Sequence, residues 1–414
     1  MMAENQKIYD ILIVGGGAAG CGVVASLLKR NSKLSIVIIE PSDKHYYQAS
    51  WTLVGGGAYE AQHSEHLMAD CIPQRATWIR ASATAFDPEK NLVKTDQAGD
   101  VQYRYLIVAP GLKLDWAAIP GLVETLGKNG VTSNYRFDLA PYTWQLAKSL
   151  NGGTALFTQP PMPIKCAGAP QKAMYLSCSE WERRGVLKNI HVEFNNAGAV
   201  LFGVAHFVPP LMKYVERYGA QLCFNSSLVA VDGPAKKAWF NVKDADGNVT
   251  KVEKSFDMLH VVPPQTAPDF IKQSVLANAE GWVDVNQVSL QHTKYPNIFG
   301  MGDACSSPNA KTVAAVRKQI VVVAENLLAL MAGKAMPTAY DGYGGCPLTV
   351  EKGKIVLAEF GFGGKLLPTF GFMNEALPSR IYWHLKRRVL PWVYWHCMLK
   401  GREWFARPVV EKKD

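Results

Sequence analysis

The chain has 414 residues, 48% hydrophobic and 19% charged, with a formal net charge of +9. That length allows a sizeable core and two or three domains, and the composition excludes a disordered or collagen-like chain. Eight cysteines are too few for a disulfide scaffold, and the positive charge suits an acidic membrane surface, nucleic acid or an anionic small substrate.

The polar stretch Ala3–Asp10 carries few positive charges before the apolar run Ile11–Val14, so no signal peptide is expected. No apolar run reaches the ~18 residues of a spanning helix. Ile11–Val14 predicts a short buried strand, Ala18–Leu28 has the apolar spacing of a helix, and Leu34–Ile39 predicts a second strand. Between the first strand and the helix, Gly15, Gly17 and Gly20 satisfy GxGxxG. Gly15 permits the tight turn, Gly17 lets the backbone approach a pyrophosphate, and Gly20 lets helix and strand pack closely. The helix N-terminus offers free N–H groups to phosphates. Glu40 closes the second strand, twenty residues after Gly20, where a carboxylate can accept hydrogen bonds from ribose hydroxyls.

Further along, YLIVAPGLKL carries Ala109-Pro110-Gly111, and YPNIFGMGD carries a short strand, Asn297–Gly300, followed by Gly302-Asp303. The helix expected over Val313–Leu330 would aim its positive end at a ring system that gathers negative charge. The pattern is similar to the two-dinucleotide-binding flavoproteins, in which both ends of the chain clasp one FAD. Ala109-Pro110-Gly111 then stands where relatives have Ala-Thr-Gly. The resemblance implies FAD held by Gly15, Gly17, Gly20, Glu40, Ala109, Gly111, Gly302 and Asp303.

Many relatives carry a second GxGxxG for NAD(P)H after a strand corresponding to Thr154–Phe157. Here TQPPMPIKCAGAPQKAMYL follows, and prolines 160, 161 and 163 forbid the glycine turn that a pyrophosphate needs. The strand His191–Asn195 leads into NNAGAV, also without a fingerprint. A nicotinamide reductant is therefore not expected.

Cys166 lies in a loop before a helix expected over Gln171–Arg184, and both Lys165 and the helix N-terminus favour its thiolate. Cys346, in YDGYGGCPL, is expected in a tight loop before a strand Lys354–Phe360; Gly344 and Gly345 allow another group to approach. Taken alone, each could be a loop cysteine without a role. The other six (Cys21, Cys71, Cys178, Cys223, Cys305, Cys397) read as small apolar residues. No Cys/His spacing suggests a metal.

KCAGAPQK and YDGYGGCPL, with GGGAAG, FGMGD and AVRKQ, resemble the sulfide:quinone oxidoreductases over nearly the whole chain, above all the branch of the mitochondrial enzyme and its bacterial relatives. The resemblance implies FAD-dependent oxidation of hydrosulfide to sulfane sulfur through Cys166 and Cys346, which form a disulfide or trisulfide. The persulfide would sit on Cys346, with Cys166 as the released thiolate. Electrons would pass from reduced flavin to a membrane quinone, and sulfite, glutathione, cyanide or sulfide would take the sulfur. Other branches attach FAD through an extra cysteine; only Cys71 lies in that interval, so non-covalent FAD is expected. Lys311 is a candidate for stabilising the flavin N1/O2 or a quinone oxygen, or is an ordinary solvated lysine. The rivals are an NAD(P)H-linked flavin disulfide or quinone reductase, and a non-catalytic, FAD-containing membrane-associated binding protein.

Residues 376–407 hold four tryptophans (Trp383, Trp392, Trp395, Trp404) among basic residues, with Ile381, Leu385 and Val389 at helical spacing and Pro391 expected to divide two short helices. Apolar and aromatic faces flanked by Lys/Arg suit an interfacial, non-spanning helix pair. A dimerising or core-capping pair is the other reading, and a homodimer stays open. Because the excess charge lies with tryptophans, membrane is favoured over nucleic acid. Phe360, Phe362, Phe370 and Phe372 line a quinone slot or form strand core. The expected architecture is α/β: two Rossmann-like FAD/NAD(P)-binding-type domains with a C-terminal membrane-contact helical region. Residues 1–150 and 281–335 would form the FAD part, 151–280 the second domain without a nicotinamide fingerprint, and 336–414 the quinone and membrane region. The location implied is peripheral, on the cytoplasmic face of a bacterial inner membrane, or the mitochondrial inner membrane for a processed eukaryotic chain.

Overall fold

The computed structural model describes residues 7–407. Ile11, Leu12, Ile13 and Val14 are almost fully buried because both faces of their strand, Ile8–Val14, are covered. That strand is central in a seven-stranded sheet ordered Thr77–Ile79, Ile36–Ile39, Ile8–Val14, Asp100–Val108, Leu92–Thr95 and Ala83–Asp87. The strand Ile298–Gly300 returns from far along the chain to pair in parallel with Asp100–Val108. The helices Ala18–Arg30 and Val313–Met331 pack on each other and cover this sheet.

A second sheet is parallel throughout, ordered Val131–Thr132, Met258–His260, Gly153–Gln159, Ile190–Asn196 and Gln221–Cys223. Val131–Thr132 falls within the span 1–150 assigned above to the FAD part, yet its hydrogen bonds are in this sheet. Ser226–Asp232, Lys237–Lys243 and Val249–Ser255 form a separate antiparallel sheet.

Cys346 departs from the loop expected for it. It lies in a strand, Gly344–Glu351, paired antiparallel with Lys354–Phe360, with Ala358 directly opposite. The glycines read as a loop signal serve close packing instead. A Cβ on Gly344 would come within 2.7 Å of the Ala310 Cβ, and one on Gly345 within 3.2 Å of the Ala314 Cβ.

The C-terminal segment also differs. Arg380–His384, Leu385–Val389 and Leu390–His396 run on as one helical stretch whose middle part is a π turn. Pro391 follows directly on the π turn without breaking the stretch, so it makes no division. No helix among the described residues is long and apolar enough to cross a membrane.

Candidate active site

In parallel α/β sheets, ligands bind beyond the carboxyl ends of the strands. Register places three such ends side by side here, with Val14 opposite Val108 and Val108 opposite Gly300. Gly15–Gly20, Ala109–Gly111 and Gly302–Asp303 therefore leave the sheet together.

Gly15 has φ +103°, and a Cβ there would lie 2.5 Å from the Ala109 carbonyl oxygen. A Cβ on Gly20 would collide with the Gly15 carbonyl oxygen, so only glycine lets helix and strand meet. At Gly17 and Gly111, by contrast, a Cβ would find no atom within 4 Å. These two positions face open space, as a backbone cradle for a ligand should. No side chain caps the N-terminus of Ala18–Arg30. Glu40 accepts hydrogen bonds from the Gly16 N–H at 2.7 Å and the Ser42 N–H at 2.8 Å. A carboxylate offers about four acceptor sites, so capacity for sugar hydroxyls remains.

On the other wall, the Gly302 N–H donates to Gln319 Oε1 at 2.8 Å, while Gln319 Nε2 is buried without a partner. Gln265 repeats the arrangement: its Oε1 accepts from the Lys165 N–H at 2.8 Å and its Nε2 has no partner. Orphaned buried amides are rare in native structures and point to a group that completes them. Open glycine cradle, free helix N-terminus and orphaned amides fit a dinucleotide cofactor. Burial pushes the Asp303 carboxyl up, partly offset by Lys311 and Lys165.

The Lys311 side chain does not project as a free cation. Its Nζ donates to the Asp303 carbonyl at 2.8 Å and the Cys305 carbonyl at 3.0 Å, and lies 4.1 Å over the Trp282 ring. Its backbone does something not expected: the Lys311 carbonyl accepts the Cys166 N–H at 2.8 Å. That bond ties the Cys166 loop, from the second sheet, to the Gly302–Asp303 loop of the first.

Cys166 adopts φ +51°, which is rare outside glycine and needs surroundings that over-determine it. They are present, since the Tyr135 hydroxyl donates to the Lys165 carbonyl and the Cys166 carbonyl accepts from the Ala169 N–H. Helix Ala169–Arg183 then packs on the Cys346 strand. Cys166 Sγ and Cys346 Sγ stand 3.4 Å apart although 180 residues separate them in sequence. A Cβ on Gly168 would lie 2.6 Å from Cys346 Sγ, so this glycine admits the sulfur.

Lys165, expected to support the thiolate, turns away: its Nζ donates to Gln48 Oε1 at 2.5 Å and lies over the Trp51 and Tyr135 rings. Burial pushes it down to about 8. Lys172 takes the role instead, with Nζ 3.1 Å from Cys166 Sγ and 3.6 Å from Cys346 Sγ. Burial opposes its charge, and the two sulfurs outweigh it, so the ammonium is retained. Lys386, delivered by the π turn, donates to the Pro347 carbonyl at 3.3 Å. Burial, then repulsion by Lys172, push it down to about 7 against the pull of both cysteines.

The two thiols are unequal. The hydrogen bond from Cys346, with Lys172 and Lys386 working against burial, holds Cys166 well below the usual thiol range. The same bond and burial hold Cys346 well above it. Cys166, the nearer of the two to Lys172, is the one favoured as thiolate.

Two dinucleotide-type sheets, with one cysteine on the loop that bridges them and its partner on a neighbouring hairpin strand, define an α/β oxidoreductase of the disulfide-flavoprotein class. Residues 9–143 match the family model described as pyridine nucleotide-disulphide oxidoreductase. Over 405 residues the chain is 41% identical to the mitochondrial sulfide:quinone oxidoreductase of Dictyostelium discoideum, covering 97% of this chain and 88% of that protein. The mouse mitochondrial sulfide:quinone oxidoreductase is 36% identical, covering 96% and 88%. The solved sulfide:quinone oxidoreductase of Aquifex aeolicus superimposes with a TM-score of 0.76 at 19% identity, covering 95% of this chain and 92% of that one. The chain belongs to the sulfide:quinone oxidoreductase family, one of FAD-dependent oxidoreductases.

Proposed function

We propose that the protein oxidises hydrosulfide to sulfane sulfur through Cys166 and Cys346 and passes the electrons to a membrane quinone. The observation that carries this reading is the pair itself: two sulfurs 3.4 Å apart, with Lys172 Nζ 3.1 and 3.6 Å from them. Two S–S bonds of ~2.05 Å, joined at a sulfur angle, span about 3.3 Å, so one sulfur atom fits between them with little movement. A direct disulfide requires them to close.

Hydrosulfide attacks the bridged pair at the Cys346 sulfur. The bridge breaks, a persulfide forms on Cys346, and Cys166 leaves as thiolate. Lys172 and Lys386 favour both the incoming anion and the departing one. A thiol, sulfite, cyanide or second sulfide then removes the outer sulfur of the persulfide, and the two cysteines re-bridge, losing two electrons. FAD, when bound, supplies the two-electron relay between the sulfurs and the quinone. Gly15, Gly17, Gly20, Glu40, Ala109, Gly111, Gly302 and Asp303 would hold it without a covalent bond. Cys71, the cysteine in the interval where other branches attach it, is buried beside Cys21, and burial pushes it up to about 11. The stretch 160–168 gives its place after the strand Gly153–Gln159 to Cys166, which favours sulfur over nicotinamide as the electron source.

The C-terminal segment supplies the membrane contact, by one face only. Tyr382, Trp383, Tyr394, Trp395 and Lys386 are buried, so that face caps the core and completes the cysteine site. Phe372, Leu377, Ile381, Val389, Trp392, Trp404 and Phe405 are exposed, interleaved with exposed Arg387, Arg388, Lys400 and Arg402. Deleting residues 376–407 would remove Lys386 and core packing together, so the test is on the exposed face. The triple variant Phe372→Ser, Ile381→Ser, Trp392→Ser should detach from anionic liposomes that bind the parent protein in a salt-sensitive way. Its reduction by sulfide should be unchanged. Turnover with a long-chain quinone should fall at least tenfold more than with a short soluble one, since even one lost side chain forfeits ~1.5–3 kcal/mol of apolar burial. Equal losses with both quinones would mean that this face serves the fold or a dimer.

A further inference from the structure

Two carboxyl groups sit under this surface without a cation. Glu359 lies opposite Gly345, one residue from Cys346, so its side chain points to the other face of the hairpin from the sulfur. It is 4% exposed and accepts hydrogen bonds from the Tyr343 hydroxyl, from the Thr369 N–H at 2.8 Å and from the Thr369 hydroxyl at 2.6 Å. Glu375 is 6% exposed, its backbone carbonyl fixed by the Leu357 N–H, and its Oε2 is buried with no hydrogen-bond partner. Neither is in an ion pair among the described residues. The Tyr382 hydroxyl, on the helix covering them, is also buried and unpartnered. Lys318 lies 4.1 Å over the Tyr343 ring and spends its Nζ on Asp341, while Arg317, on the same helix, acts electrostatically on Tyr343. Along the chain, Glu375 and Tyr382 are flanked by Phe372, Leu377 and Ile381, all more than half exposed.

Resting on the reading of the chain as a quinone reductase, we propose that Glu375, beside Glu359, is the proton donor to a quinone bound under these exposed apolar side chains. Reducing a quinone to a quinol needs two electrons, here from reduced flavin, and two protons. A site opening onto lipid excludes the water that would bring them. Glu375 breaks its carboxyl O–H bond as a quinone oxygen gains one. Solvent then restores the proton to the carboxylate, and the second proton is delivered in the same way. Burial, then repulsion from Glu359, push Glu375 up to about 7. A carboxyl so placed is protonated in part at neutral pH and can both give and regain a proton.

The test uses the FAD-loaded enzyme reduced with dithionite, so that quinone reoxidation is read independently of sulfide. Glu375→Gln should slow reoxidation by about 10²-fold and abolish its dependence on pH near 7, with Glu375→Asp recovering part of the rate. Infrared difference spectra should show a carboxylic C=O band that titrates near pH 7 in the parent protein and is missing from Glu375→Gln. Parent-like reoxidation with the parent pH profile, or a loss equal at every pH, would overturn the proposal. So would a parent protein without the titrating band, should the variant not fold. Failure of sulfide to reduce the parent flavin would instead strike the underlying functional reading.

Discussion

Cys346→Ser should bind FAD as the parent does and lose sulfide-dependent quinone reduction by about 10³-fold or more, the scale on which removing a covalent nucleophile acts. Serine cannot carry a sulfane sulfur or bridge to Cys166, so hydrosulfide has no bond to attack. The fold should survive: Cys346 is 2% exposed in a paired strand, and exchanging sulfur for a smaller oxygen costs about 1 kcal/mol on the scale of ordinary substitutions. The glycine cradle lies on a different sheet, so the flavin stays. Quinone reoxidation of dithionite-reduced variant should proceed at the parent rate, which separates a lost sulfur step from general damage. Parent-like sulfide turnover would remove the paired-cysteine chemistry.

Lys172→Met should lower the rate of sulfide-dependent flavin reduction by about 10- to 100-fold, because the Cys166 thiolate loses the ammonium 3.1 Å away. The sign follows from the site. Cys166 is held below the ordinary thiol range by the Cys346 hydrogen bond and then by the Lys172 and Lys386 ammoniums. Without Lys172 the Cys166 pKa rises, its thiolate forms only at higher pH, and the acidic limb of the rate profile moves toward alkaline pH. Removing Lys172 also relieves its repulsion of Lys386, which then holds its proton more firmly, so some loss is compensated. Lys172→Arg should keep the limb nearer its place. A rate that falls without any movement of the limb would assign Lys172 to packing alone.

The glycine turn, Glu40, the returning strand before Gly302-Asp303 and the order of the two cysteines are legible in the chain because each rests on local chemistry. A left-handed turn, a close helix–strand approach and an orphaned helix end all demand particular residue types within a few positions. Lys172 was legible in principle: helical side chains lean toward the N-terminus, so a lysine early in Ala169–Arg183 reaches back over Cys166. Lys165 drew the role by adjacency, although in this left-handed turn neighbouring side chains diverge. Lys386 left no such signal, since only a π turn, a device common at functional sites, aims it at sulfurs far off in sequence. Cys346 was misplaced because GGCP reads as a loop, whereas packing against Ala310 and Ala314 selects the glycines in a strand. Glu375 carried no motif at all; its meaning comes from burial without a partner.

Anaerobic titration of the oxidised, FAD-loaded protein, followed by the flavin spectrum, tests the sulfur chemistry at its root. Hydrosulfide should bleach the oxidised flavin in proportion to the amount added, with the sulfur recovered on the protein as sulfane released by sulfite or cyanide, while NADH leaves the spectrum unchanged. Bleaching by NADH and none by hydrosulfide would contradict the role assigned to Cys166 and Cys346 and return the chain to the nicotinamide-linked flavin reductases.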